Sequence, residues 1–310
     1  MDKRFLNLDD LTHMPPPSWM IEGIFEAKSL VMLAGPSYSF KSFLLLDWML
    51  CMASGRKWLN RSTVPCKVAY ALGEGKSSLL KRITAWITFN DLSREEVERI
   101  NENFRVTFEV PQLATKSSVD NMLSDIETEG FKPELIAIDT FARSMVGMDE
   151  NNQKDTGLWI EQADRLRQLG YGVIFLHHTK KNTEFGVTYR GSTTIIGAMD
   201  TAMTLVREGN YCTLTITKQK DHDEGKPIRF RRALVGAGAE DSCVLVPAPL
   251  MDERFIDEPK VPSEFSIDDH IDLLLKSPNF SNDAERAKEL VKLTGITEGA
   301  AKTRISRKRG

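Results

Sequence analysis

Six short apolar runs that do not alternate with polar residues constrain this chain more than any other feature: Leu30–Ala34, Val68–Leu72, Val106–Val110, Leu135–Ile138, Val173–Leu176 and Ala202–Val206. A strand with one wet face alternates apolar and polar residues, whereas a strand buried on both faces reads as a continuous apolar run. Helical patterns at 41–54, 76–89, 94–102, 117–129 and 155–169 separate several of these runs. Strands alternating with helices predict an α/β domain: a mainly parallel sheet covered by helices. From Tyr211 to Val235 the pattern changes to YCTLTITK and PIRFRRALV around a polar KDHDEGK turn, which predicts an antiparallel hairpin at the sheet edge. Residues 247–265 are rich in proline and acid and read as a linker, and 266–310 read as helical. The expected organisation is therefore a large domain over 1–246 with an N-terminal arm over 1–27, a linker over 247–265, and a small helical domain over 266–310.

Charge excludes little. Forty-one basic against 44 acidic residues give a net charge of −3, so any surface for nucleic acid must be local. The four cysteines, at 51, 66, 212 and 243, show no C-x-x-C spacing and cannot make a thiolate zinc site by themselves. Their sparseness suits a reducing compartment. The N-terminal stretch lacks the apolar core of a signal peptide, and the greasiest run, Phe43 to Ala53, is too short to span a bilayer and carries Asp47. The expectation is a cytoplasmic protein with no membrane partner.

The segment KSLVMLAGPSYSFKSFLLLDW joins an apolar strand to an apolar helix through the loop Gly35, Pro36, Ser37, Tyr38, Ser39, Phe40, Lys41, Ser42, with Phe43 following. The phosphate-loop pattern G-x-x-x-x-G-K-[ST] requires this context. Backbone N–H groups at a helix N-terminus hold phosphate oxygens, a lysine meets the outer phosphates, and a hydroxyl meets Mg²⁺. Gly35, Lys41 and Ser42 match it. Phe40 stands where the second glycine usually sits, so it must adopt a backbone setting that spares a Cβ. Further along, the run ending at Ile138 delivers Asp139, as a strand holding the Mg²⁺ shell does. The run ending at Leu72 delivers Glu74 between two glycines, a candidate general base; a carboxylate favoured by the helix dipole is the plainer reading. The run ending at Leu176 delivers His177 and His178, which lie on opposite faces of a strand. One of them can meet a γ-phosphate. All these groups emerge from one strand edge, where open parallel sheets bind ligands.

As a set, these blocks resemble the RecA-like hexameric replicative helicases, most closely the plasmid RepA-type and phage-borne P-loop ATPases. The resemblance covers roughly residues 15 to 236 and includes PPPSWMIEGIF, GPSYSFKSFLLLDW, LGEGKSSLLKRITAW, LIAIDT, FLHHTKK, RGSTTIIGAMD and TKQKD. It implies a RecA-like ATPase core that uses ATP and Mg²⁺, with the site at a subunit interface. Lys41 and Ser42 would bind phosphate and metal, Asp139 would hold the metal shell, Glu74 would activate water and His178 would sense the γ-phosphate. A neighbouring subunit would supply a cation, from Lys218 and Lys220 of TKQKD or from their rivals Arg190 and Arg207. The loops after Asp139 and His178 would handle DNA, the second through Lys180, Lys181 and Arg190 with Phe185 and Tyr189 interleaved; cations track phosphates and aromatic rings stack bases.

In the tail, Thr297 is a candidate N-cap for a last helix carrying Lys302, Arg304, Arg307, Lys308 and Arg309, with Leu290, Leu293, Ile296, Ala300 and Ile305 as core candidates. Helix, turn and basic helix outline a helix-turn-helix or winged-helix unit. The functional expectation is an ATP-dependent DNA helicase or translocase of plasmid or phage replication: a homo-oligomer forming a hexameric ring on single-stranded DNA, with a primase or loader as further partner. Its rivals are a recombination or repair ATPase without unwinding, and a nucleotide-binding DNA regulator with little turnover.

Overall fold

A computed structural model of the protein describes residues 5–14, 16, 18–179, 193–236, 242–250, 282–294 and 297–309. The chain divides into two compact units, Met1–Leu250 and Met251–Gly310.

The first unit opens with helix α1 (Leu8–Thr12) and a small antiparallel pair, β1 (Trp19–Ile21) and β2 (Phe25–Glu26). The core elements then follow in the order β3 (Leu30–Gly35), α2 (Lys41–Ser54), β4 (Val68–Leu72), α3 (Leu79–Phe89), α4 (Arg94–Asn103), β5 (Phe104–Thr107), α5 (Lys116–Thr128), β6 (Leu135–Asp139), α6 (Gln153–Gln168), β7 (Gly172–His178), α7 (Thr193–Ala198) and β8 (Thr201–Glu208). Three more strands complete the sheet: β9 (Tyr211–Gln219), β10 (Ile228–Val235) and β11 (Ser242–Ala248). The spatial order is β11-β10-β9-β8-β3-β7-β6-β4-β5. From β5 to β8 every pairing is parallel, and from β8 to β11 every pairing is antiparallel. This is the expected fold class, an α/β core with a mainly parallel sheet.

The apolar runs bury both faces because side chains alternate along a strand. Val31 and Leu33 of β3 join one core cluster with α2 and α3, while Leu30, Met32 and Ala34 join a second cluster with α6 on the other face. Leu135 and Ala137 of β6 divide from Ile136 and Ile138 in the same way. Helix α2 is buried nearly all round, which accounts for its uniformly apolar sequence. Its Asp47 accepts the indole N–H groups of Trp58 (2.7 Å) and Trp86 (2.6 Å), and burial pushes its carboxyl up to about 6. The helix ends at Gly55, whose φ of 79° is the left-handed setting that closes a helix without a Cβ penalty.

Three expectations need correction. The strand expected at 106–110 occupies Phe104–Thr107, because its pairing with β4 runs from Val68↔Phe104 to Ala71↔Thr107 and stops there. The hairpin is not the sheet edge: β11 pairs with β10 outside it. Pro247 and Ala248, assigned to the linker, are the end of β11, where an edge strand tolerates a proline. The rest of the expected linker beyond Leu250 lies outside the described residues.

The second unit contains α8 (Asp283–Thr294) and α9 (Glu298–Arg309). Ala287, Leu290, Ala301 and Ile305 are buried between them, and Thr297 Oγ1 accepts the Ala300 N–H at 3.4 Å as a cap. Ala301, the next residue round the helix, takes the buried place expected of Ala300, while Ile296 and the side chain of Leu293 lie outside the described residues. Lys302, Arg304 and Arg307 are exposed, and Lys302 pairs with Glu298 at 2.7 Å.

Candidate phosphate-binding site

The C-terminal ends of β3, β4, β6 and β7 border one cavity of about 590 Å³. The loop residues Ser37 to Phe43 line it, with Glu74, Asp139 and His178. Gly35 ends β3 in a space that admits no side chain: an added Cβ would lie 2.3 Å from the Leu205 carbonyl oxygen and 2.9 Å from Ser39 Oγ. The chain then turns so that Lys41 and Ser42 begin α2.

Lys41 is buried, and its Nζ donates to the carbonyl oxygens of Gly35 (2.9 Å) and Pro36 (2.8 Å). Burial lowers its ammonium group to about 8, against the opposing pull of Asp139 and Glu74. Ser42 Oγ donates to Asp139 Oδ2 at 2.7 Å, so the loop hydroxyl and the strand-end carboxylate meet directly. Tyr70 Oη donates to the same oxygen at 2.8 Å. Burial raises the Asp139 carboxyl above its ordinary value, and these two hydroxyl bonds oppose the rise. Burial and the Asp139 charge hold the Tyr70 phenol far above its own ordinary range.

The two histidines separate as strand geometry requires. His178 Nδ1 lies 3.5 Å from both Lys41 Nζ and Ser37 Oγ, while His177 packs edge-on against Phe141 at 5.1 Å in the opposite core. Glu74 is half-exposed and accepts from Arg143 Nε at 3.2 Å. Ser39 Oγ, Thr140 Oγ1 and Thr179 Oγ1 are buried without a hydrogen-bond partner, and each belongs to a strand-end loop of this site. Buried hydroxyls are ordinarily paired, so Ser39 and Thr140, which line the cavity, are suited to polar ligand atoms.

Phe40 adopts φ 69° and ψ 21°, the left-handed setting otherwise filled by glycine. A Cβ there costs roughly 1–2 kcal/mol. The ring offsets this: it meets Phe43 edge-to-face at 5.6 Å, and the Arg207 guanidinium lies 4.8 Å from its centroid. Such contacts contribute roughly 0.5–1.5 and 0.5–1 kcal/mol. Phe40→Gly is therefore expected to leave stability nearly unchanged. Phe40→Ala keeps the strain and loses the ring, and should be less stable than the glycine variant by about 1 kcal/mol. Denaturant titration of both variants checks this; glycine and alanine variants of equal stability would show that the left-handed setting carries no strain.

Three arginines that the sequence did not single out for their own pocket also line it: Arg82, Arg207 and Arg232. Arg82 lies 4.6 Å over the Phe43 ring. Arg207, a rival for the cation given to a neighbouring subunit, instead lines the pocket of its own chain, held by its stack on Phe40 and by a bond from Nε to the Gly209 carbonyl at 2.8 Å. Lys218 and Lys220 do not line this cavity. Lys218 Nζ caps the end of α7 through the carbonyls of Ile196 (3.0 Å) and Gly197 (2.8 Å), and Lys220 lies 3.7 Å from Asp200. Lys180, Lys181, Phe185, Tyr189 and Arg190 fall outside the described residues.

A protein-family model described as an AAA domain matches residues 4–184. The chain belongs to that family. Among solved structures, this AAA-domain protein is similar to the RadB recombinase, at 16% identity over 66% of this chain and 87% of that one, with a TM-score of 0.46. It is similar also to a KaiC-like protein from the hyperthermophilic archaeon Pyrococcus horikoshii OT3, at 14% identity over 74% of this chain and 94% of that one, with a TM-score of 0.46. No curated protein sequence matches it. By family, the AAA-domain chain is a P-loop ATPase. Among the described residues, no helix is long and apolar enough to cross a membrane.

Proposed function

We propose that the protein is an ATP-driven motor on single-stranded DNA, a replicative helicase or translocase that works as a ring and hydrolyses ATP between subunits. The observation that carries the ATPase reading is the meeting of Lys41, Ser42, Asp139, Glu74 and His178 around one cavity at the sheet edge. Lys41 would exchange the Gly35 and Pro36 carbonyls for the outer phosphates. The N-terminus of α2 would face the phosphate chain with its free N–H groups. Ser42 and Asp139 fit a Mg²⁺ ion that also takes phosphate and water oxygens, because they supply a hydroxyl and a carboxylate in direct contact. Bound there, Mg²⁺ would neutralise charge on the β- and γ-phosphates.

Glu74 would take the proton of the attacking water while Arg143 orients its carboxylate through Oε1. Arg143 stands in the loop after Asp139, so a strand engaging that loop would bear on Glu74. His178, within reach of Lys41, would relay the loss of the γ-phosphate to the loop that follows it. Lys180, Lys181, Tyr189 and Arg190 would contact DNA from that loop or complete a neighbouring site. Lys218 and Lys220 are the other candidates for the cation supplied in trans, and Lys302, Arg304 and Arg307 would add phosphate contacts from the tail.

Strand displacement on a forked duplex, with electron microscopy of the assembly, tests the helicase reading. Rings and ATP-dependent displacement support it. Filaments without displacement favour a recombination ATPase, and nucleotide binding without turnover favours a regulator.

A further inference from the structure

We infer that Tyr70 is a positioning residue for the Mg²⁺ site, orienting the Asp139 carboxylate through its phenol. This rests on the ATPase reading above and names a residue that the phosphate-loop pattern does not contain.

Strands β4 and β6 pair in parallel with Tyr70 opposite Ala137, so Asp139 lies two residues further along β6 on the same face as Tyr70. Such diagonal neighbours are separated by roughly 7–8 Å, within reach of an aromatic side chain. Ala137 is small, and the Tyr70 ring can extend past it toward Asp139. The ring is fully buried and packs against Phe104 with centroids 6.4 Å apart. Its hydroxyl therefore sits on a rigid arm, with its 2.8 Å bond to Asp139 Oδ2 as the partner a buried phenol needs.

Ser42 Oγ donates to that same Oδ2. An ionised carboxylate only accepts, through two oxygens, and a serine hydroxyl that donates its proton keeps its lone pairs. With both donors on Oδ2, Asp139 Oδ1 is left to accept from a water of the metal shell, and the Ser42 lone pairs are left for the metal. Tyr70 fixes the carboxylate rotation that makes this division. Without the phenol, the Ser42 proton alone holds the carboxylate, and Asp139 can turn.

A tyrosine that merely fills the core would give a different result on Tyr70→Phe, which keeps the ring and removes only the hydroxyl. The test measures binding of a fluorescent ATP analogue with and without Mg²⁺, and ATP turnover across a Mg²⁺ titration, on wild-type and variant protein of verified thermal stability. Groups that orient metal ligands typically change metal affinity by roughly 10–100-fold. The expected result is a Mg²⁺ half-saturation raised roughly 10-fold, with turnover at saturating Mg²⁺ and analogue affinity without Mg²⁺ close to wild type. An unchanged Mg²⁺ half-saturation, with or without a loss of thermal stability, overturns the role of Tyr70 and leaves the ATPase reading standing. Wild-type protein that neither binds the analogue nor turns over ATP at any Mg²⁺ concentration overturns that reading and the role of Tyr70 with it.

Discussion

Lys41→Ala is expected to abolish ATP turnover and to weaken ATP binding sharply, while the protein remains folded. The ammonium group is the one cation that begins α2, buried where the loop wraps it, and it bonds only to backbone carbonyls and approaches His178 among the described contacts. A buried charge held by neutral carbonyls gains more from phosphate oxygens, since hydrogen bonds between ionised groups are the stronger ones. Removing one such preorganised donor from a charge-stabilising site costs roughly 10²–10³ in turnover. The fold should tolerate the change, because alanine also removes the desolvation that depresses Lys41 to about 8. Turnover by phosphate release and binding by a fluorescent analogue check both halves; an active Lys41→Ala protein would place the phosphates elsewhere.

Glu74→Gln should separate binding from chemistry. Glu74 lines the cavity from the loop after β4 and bonds to Arg143 rather than to the Ser42–Asp139 pair. Glutamine keeps the carbonyl oxygen that can accept from Arg143, so the local structure should hold. It cannot take a proton from water, and loss of a general base costs roughly 10²–10⁴ in rate. The expected variant binds ATP with near wild-type affinity and hydrolyses it at least roughly 100-fold more slowly. Wild-type turnover in this variant would return Glu74 to the plainer reading of a carboxylate beside a helix N-terminus.

The parts of the site that were legible in the sequence are those set by local order. A continuous apolar run ends, and the residues just after it stand at the sheet edge: Gly35, Glu74, Asp139 and His178 are all placed this way, and the strand period alone separates His178 from His177. Tyr70 was not legible, because inside an apolar run it reads as core; only the register of β4 against β6 brings its hydroxyl to Asp139. Arg82 and Arg232 come from α3 and β10, and no spacing in the chain relates them to the loop. Arg207 stands at the polar end of a strand, as the others do, yet its place beside Phe40 depends on β8 lying next to β3. Strand β11 is not legible in the sequence, since its apolar stretch is short and runs into Pro247. Phe40 shows the converse: the missing glycine looked like a defect of the loop, and its ring supplies the contacts that accompany the strained backbone.

In the proposed motor the cavity hydrolyses ATP at a rate that single-stranded DNA governs. Steady-state ATP turnover with and without single-stranded DNA, with Lys41→Ala as the blank, tests it most directly. The expected result is turnover that rises strongly with DNA and vanishes in the variant. Turnover indifferent to DNA, or none at all in the wild-type protein, would contradict it.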